Sequence, residues 1–189
     1  GFALREIASL PQIVAGTTPR AFERAAELFS LVASKIVPLE PTEAELAKLF
    51  CNASRYVSFA IANQFYALCA DNGIDYYRIH HAVTLDYPRM KHLPAAGFAA
   101  GPCLFKDTVQ LAAFCDNAFS LGQSAVLVNE GMPKQLMNQL RAHGLADKTV
   151  GLLGVAFKGD SDDVRDSLAF KMKRLLELEA KAVLCTDEF

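Results

Sequence analysis

No stretch of this sequence is strongly basic: its densest cluster is Lys171-Met172-Lys173-Arg174, and 19 Lys and Arg face 21 Asp and Glu for a formal net charge of -2. Nucleic-acid partners, which require a positive patch against phosphates, are disfavoured. A membrane span is missing too. Leu93 to Phe105 offers 13 uncharged residues broken by two prolines and two glycines, short of the roughly 20 apolar residues a span needs. The opening Gly-Phe-Ala-Leu-Arg-Glu has neither the basic nor the apolar region of a secretory leader, and the missing initial Met reads as a trimmed start. Cysteine is present in odd number. Cys51, Cys69, Cys103, Cys115 and Cys185 match neither a disulfide framework nor a CxxC site, so a reducing, cytoplasmic setting is expected. His80, His81, His92 and His143 show no HxxxH or HExxH spacing, and no metal is expected. Gly151 and Gly154 do not make G-x-G-x-x-G, nor does any other stretch, so no dinucleotide fingerprint is present.

What is present is a large apolar fraction, 52% of 189 residues, enough to bury about 70% of the unfolded surface without disulfides or metal. Pro11 to Gly16 reads as a short buried strand, and Thr18-Pro19 as an N-cap with proline at the first helical position of a helix running to about Lys35. Ile36 to Leu39 is a second extended piece. Thr42 and Glu45 then form an S/T-x-x-E capping box before a long helix ended by Gly73. Between Arg55 and Asp71 this helix carries no charge, which requires burial by other elements or by a second subunit.

A shorter helix follows over 75–85, then a loop over 88–102 rich in Pro, Ala and Gly. Asp107 and Gln110 mark a helix reaching about Phe119, and 121–129 and 132–143 have helical patterns. The apolar run 148–158, an amphipathic helix over 167–179 and the strand 182–187 then make a β-α-β unit. Two strands alone are marginal, so this last piece reads as cut short.

Chemistry concentrates in three places. Cys103 lies a few residues ahead of a helix start and three residues before Lys106, surroundings that favour thiolate, although cysteine also serves as a small buried hydrophobe. Asp107 reads locally as a plain N-cap. Lys48 and Asn52 lie four apart on one helix face, where they either meet a ligand or sit on exposed first turns. Phe157, Lys158 and Arg165 occupy the carboxyl end of a strand and the approach to a helix, where open α/β sheets bind ligands; a solvated charged loop is the other reading.

Taken in order, Leu10-Pro-Gln-Ile-Val14, Ala44 to Leu49 with Asn52 and Ile61-Ala-Asn63, Gly101 to Thr108, Val128 to Pro133, and Gly154 to Lys158 with Asp162 to Ser167 resemble the UDP-glucose/GDP-mannose dehydrogenase family of nucleotide-sugar dehydrogenases. The resemblance implies oxidation of the C6 alcohol of a UDP- or GDP-sugar to the uronate, with two hydrides passed to NAD. Cys103 would attack the intermediate aldehyde, Lys48 would stabilise the oxyanion, Asn52 would hold the reacting oxygen or a water, and Asp107 would orient the hydrolytic water. Arg89 resembles an arginine sent across a dimer to the partner's substrate, at slightly shorter spacing than in some members. Phe157 and Lys158 would touch the nucleotide sugar, and Lys106 and Arg165 the NAD.

The family's glycine-rich run before the cysteine is here Gly97-Phe98-Ala99-Ala100-Gly101, which restricts backbone approach to the substrate and points to a minor branch. Gln64 stands where the family often has glutamate. The expected fold is mainly α: a helical central dimerisation domain over 41–146, preceded by the tail of an NAD-binding domain over 1–40 and followed by the start of an α/β nucleotide-sugar domain over 147–189. Such a piece is expected to be inactive by itself. The rival expectations are a non-catalytic helical dimerisation or scaffold module, and a cysteine hydrolase, for which no histidine is placed to act as base.

Overall fold

The computed structural model describes residues 3–188. The chain is mainly helical, with one two-stranded parallel sheet early in the sequence and another late, the class expected from the residue pattern. It divides into two compact units, 1–51 and 52–189.

The first unit holds helix α1 (Ala3–Ser9), strand β1 (Gln12–Val14), helix α2 (Pro19–Ser30), strand β2 (Ile36–Pro38) and the opening turns of α3 (Pro41–Asp71). Thr18 caps α2, its Oγ1 accepting from Ala21 N at 3.2 Å, and Pro19 opens the helix at a position that needs no N–H. α2 stops at Ser30 rather than near Lys35. The reason is the sheet: Gln12 N–H already takes the Lys35 carbonyl at 2.8 Å, which requires extended chain there. β1 and β2 then pair in parallel, Gln12 with Ile36 and Val14 with Pro38. The capping register of α3 also differs from expectation. Glu43, not Glu45, reaches back, accepting from the Glu40 N–H at 2.9 Å, and Pro41 becomes the first helical residue. Proline at that position fixes the helix start ahead of Thr42.

In the second unit α3 continues to Asp71 and ends in a Schellman turn. Gly73, at φ 66°, lets Ile74 N–H return to the Cys69 carbonyl at 2.9 Å. Asp75 caps α4 (Tyr76–Thr84) through Tyr77 N and Arg78 N. After the 88–102 loop comes α5 (Leu104–Phe114), which ends before Phe119 because Asp116 and Asn117 adopt φ of 49° and 62° and turn the chain out of the helix. The two helical patterns after it are one helix, α6 (Ser120–Arg141), continuous through Pro133. Proline there has no N–H for the Asn129 carbonyl. Burial of Asn129, Met132 and Pro133 holds the helix together, and Lys171 Nζ donates to the Glu130 carbonyl at 2.6 Å. Strands β3 (Thr149–Leu153) and β4 (Ala182–Thr186) pair in parallel around α7 (Leu168–Glu177), which Ser167 caps through Ala169 N.

Two clusters form the core of this unit. Tyr56, Ala60, Ala99 and Ala125 join α3, α6 and the 97–103 segment, with Leu104 of α5 packed against them. Met137, Leu145, Met172 and Leu176, with Phe98, Val150 and Val183, join α6, α7 and the sheet. The segment that departs from the family's glycines thus sends Phe98 into one cluster and Ala99 into the other. The uncharged stretch of α3 is buried on one side only: Tyr56, Ala60, Ala62 and Asn63 are covered, while Ile61, Phe65 and Leu68 stay 44%, 42% and 54% exposed.

Candidate active site

Helix α5 begins at Cys103, which occupies the N-cap position itself, not a place a few residues ahead of it. Its side chain makes no capping bond and is exposed, at the helix end where the first-turn N–H groups have no partner within the helix. Asp107 is therefore not the N-cap. Its N–H closes the first turn onto the Cys103 carbonyl at 2.9 Å, so the residue lies within the helix, and it is 2% exposed.

That buried carboxylate meets α3. Asn52 Nδ2 donates to Asp107 Oδ2 at 2.6 Å, and Lys106 Nζ lies 3.3 Å from Oδ1. The structure thus brings Asn52, Lys106 and Asp107 together one turn below Cys103, and the Lys106 ammonium is directed to the carboxylate. Lys48 is exposed on α3 four residues before Asn52, in the first unit. Arg89 is exposed on a turn closed by Met90 N and Lys91 N onto the Tyr87 carbonyl. Among the described residues no hydrogen bond or ion pair shown joins Arg89 to Asn52, Cys103 or Asp107.

The 157–166 loop packs against the nucleophile segment from the other side. Gly101 N donates to the Asp166 carbonyl at 3.4 Å, and the Phe157 ring lies directly over Gly101, whose φ is 97°. Lys158 Nζ stands 5.5 Å from the centre of that ring, a cation–π contact. Arg165 chelates Asp163, with Nη2 to Oδ2 at 2.7 Å and Nε to Oδ1 at 3.0 Å. These bonds, with one from the Arg165 N–H, hold the Asp163 carboxyl down to about 2. Asp163 is the first cause that keeps Arg165 protonated. Two clefts adjoin the loop. One of about 400 Å³ runs along Gly101, Phe105, Asp166, Lys171 and Arg174; another of about 610 Å³ opens at the carboxyl ends of β3 and β4, beside Lys158 and Asp187.

Chemically, the arrangement offers an exposed thiol at a helix N-terminus, a buried carboxylate tethered to an amide, and cations suited to an anionic ligand. The residues alone do not reveal the buried Asn63–Asn129 amide pair, although an amide in an otherwise apolar stretch of α3 is the signal that could have found it. The role of Asp163 is likewise not evident from the sequence; an acid two residues before an arginine is the clue.

The second unit thus carries Asn52 on a long helix, Cys103 at the N-cap of α5, and a β-α-β unit packed on the same core. Residues 42–131 match the central domain of the UDP-glucose/GDP-mannose dehydrogenase family. The chain is 30% identical to a UDP-N-acetyl-D-mannosamine dehydrogenase of Pyrococcus horikoshii over 100% of this chain and 47% of that protein. It is 32% identical to a UDP-glucose 6-dehydrogenase of Haloferax volcanii over 97% of this chain and 45% of that protein. The solved structure of the P. horikoshii UDP-D-ManNAc dehydrogenase superposes with a TM-score of 0.89 at 28% identity, covering 99% of this chain and 46% of that one. A UDP-glucose dehydrogenase of Pyrobaculum islandicum gives 0.84 at 30% identity over 98% and 44%. The chain spans a little under half the length of these relatives. Among the described residues no helix is long and apolar enough to cross a membrane.

Proposed function

We propose that this chain is part of an NAD-dependent nucleotide-sugar 6-dehydrogenase that converts the C6 alcohol of a UDP- or GDP-sugar to the uronate. The observation that carries the reading is Cys103, exposed at the N-terminus of α5 with Asp107 and Asn52 bonded to each other one turn below it. The names of the relatives, UDP-N-acetyl-D-mannosamine and UDP-glucose dehydrogenases, support the substrate class.

NAD, when bound, accepts the hydride of each of the two oxidations. Arg165, exposed on the 157–166 loop, is assigned to the anionic dinucleotide because it carries the complementary charge. Lys106 is the second candidate for that role. Cys103 Sγ, as thiolate, bonds to the aldehyde carbon as the carbonyl π pair moves onto oxygen, giving a thiohemiacetal. Lys48 and Asn52 are assigned to that oxygen. After the second oxidation the carbon is a thioester. Water held by Asp107 adds to it, the C–S bond breaks with its pair returning to sulfur, and the uronate leaves. Phe157 and Lys158 are assigned to the nucleotide sugar, whose diphosphate suits the lysine charge.

The protein is further proposed to be a cytoplasmic homodimer built through the central helices, Arg89 reaching the partner's substrate. Exposure of Ile61, Phe65 and Leu68 along one face of α3 supports the contact. The domain division into 1–40, 41–146 and 147–189 belongs to the same proposal, as does inactivity of this stretch by itself.

The deciding experiment is Cys103→Ser in the full-length protein, assayed with a panel of UDP- and GDP-sugars. Uronate formation is expected to vanish while substrate binding stays near wild type, because a hydroxyl fills the space but is a far poorer nucleophile. Full two-step turnover by the variant overturns the reading.

A further inference from the structure

The motif segments carry two amides to which the chemistry above gives no task. Asn63 on α3 and Asn129 on α6 are both fully buried. Asn63 Nδ2 donates to Asn129 Oδ1 at 2.9 Å, and Asn129 Nδ2 donates to the Tyr56 carbonyl at 2.9 Å. Asn63 Oδ1 in turn accepts the Gly97 N–H at 2.8 Å. The orientation of both amides follows from their neighbours, since the Gly97 N–H can meet only an oxygen and the Tyr56 carbonyl only a donor. Packing α3 against α6 would not require this pair. An apolar pair could fill the same space, but only an acceptor at residue 63 satisfies the Gly97 N–H.

Gly97 opens the segment that ends at the sulfur. From it the chain sends Phe98 and Ala99 into the two core clusters, bonds Gly101 to Asp166, and reaches Cys103 at the N-cap of α5. We propose that Asn63 and Asn129 are positioning residues: through Gly97 they set where the 97–103 segment starts, and so where Cys103 meets the substrate carbon. This rests on the reading of Cys103 as nucleophile. The relay is rigid because each amide holds the next, and Tyr56, at its origin, is fully buried.

The test uses the full-length protein with Asn63→Ala and Asn129→Ala, each checked for folding by its thermal midpoint. Because a displacement of about 1 Å costs on the order of 100-fold in rate, Asn63→Ala is expected to lower kcat by about that factor. Asn129→Ala, which leaves the Gly97 acceptor in place, should lower it by about 10-fold, and KM should stay nearly constant in both. A second readout needs no turnover: the rate of iodoacetamide labelling of Cys103 relative to Cys115, both exposed and at opposite ends of α5. That ratio should fall at least about threefold in Asn63→Ala, as the sulfur loses its place at the helix start. Unchanged kcat and an unchanged labelling ratio in a folded variant overturn the proposal. If the wild-type protein forms no uronate, the proposed reaction fails and the labelling ratio alone decides the relay. If neither variant folds, amide exchange of the wild type decides: Gly97 as slow as the core of α3 supports the relay, and exchange at an open-coil rate refutes it.

Discussion

Replacing Gly101 by alanine tests how tightly the nucleophile segment is pressed against the 157–166 loop. Gly101 holds φ 97°, and a methyl there would stand 2.5 Å from Cδ2 and 2.9 Å from Cγ of Phe157. A side chain forced into that backbone region costs about 1–3 kcal/mol, and displacing a packed ring adds about 1–3 kcal/mol. The sum, about 2–6 kcal/mol, should lower the unfolding midpoint by roughly 4–24 °C at ~2–4 °C per kcal/mol for a chain of this size. Gly131 supplies the control. It lies inside α6, where an added methyl would meet nothing within 4 Å, so Gly131→Ala should stabilise by about 0.5–1 kcal/mol through helix propensity. The same substitution thus carries opposite signs at two positions. Scanning calorimetry of both variants reads the result: a Gly101→Ala midpoint indistinguishable from wild type, or a loss at Gly131 as large as at Gly101, refutes the reasoning.

Two further outcomes follow from the geometry. Asp163 is held at about 2 by Arg165; a carboxyl lowered in the folded state contributes stability that is present above its ordinary value near 3.9 and is lost as pH falls through the folded value. A carbon-detected carboxyl titration should therefore show Asp163 ionised at pH 3, and a midpoint near 4 would remove the Arg165 chelate from the account. The exposed Ile61, Phe65 and Leu68 face predicts a dimer in solution whose association is weakened by Phe65→Asp. Sedimentation showing a clean wild-type monomer at tens of micromolar contradicts it.

Much of the architecture is legible in the residues because it is local. Thr18-Pro19 starts a helix, Gly73 ends one, and the apolar runs around Gly151 and Val183 become paired strands, since caps, left-handed turns and β-branched runs act over a few neighbouring residues. The family segments are legible for the same reason: they are runs of adjacent residues, and Asn63 and Asn129 lie within them. What required the tertiary structure is every relation across the chain. Asp107 reads as a cap from its neighbours, yet it lies within α5 and Asn52, 55 positions away on α3, meets its carboxylate. The residues read as two helical patterns, 121–129 and 132–143, but burial of Met132 and Pro133 carries α6 through as one helix. Phe98 and Ala99 read as obstacles to substrate approach, and packing turns them into anchors for the segment that carries Cys103. A residue's own sequence neighbours set its backbone preference; which distant group shares its buried space is decided only when the helices close on one another.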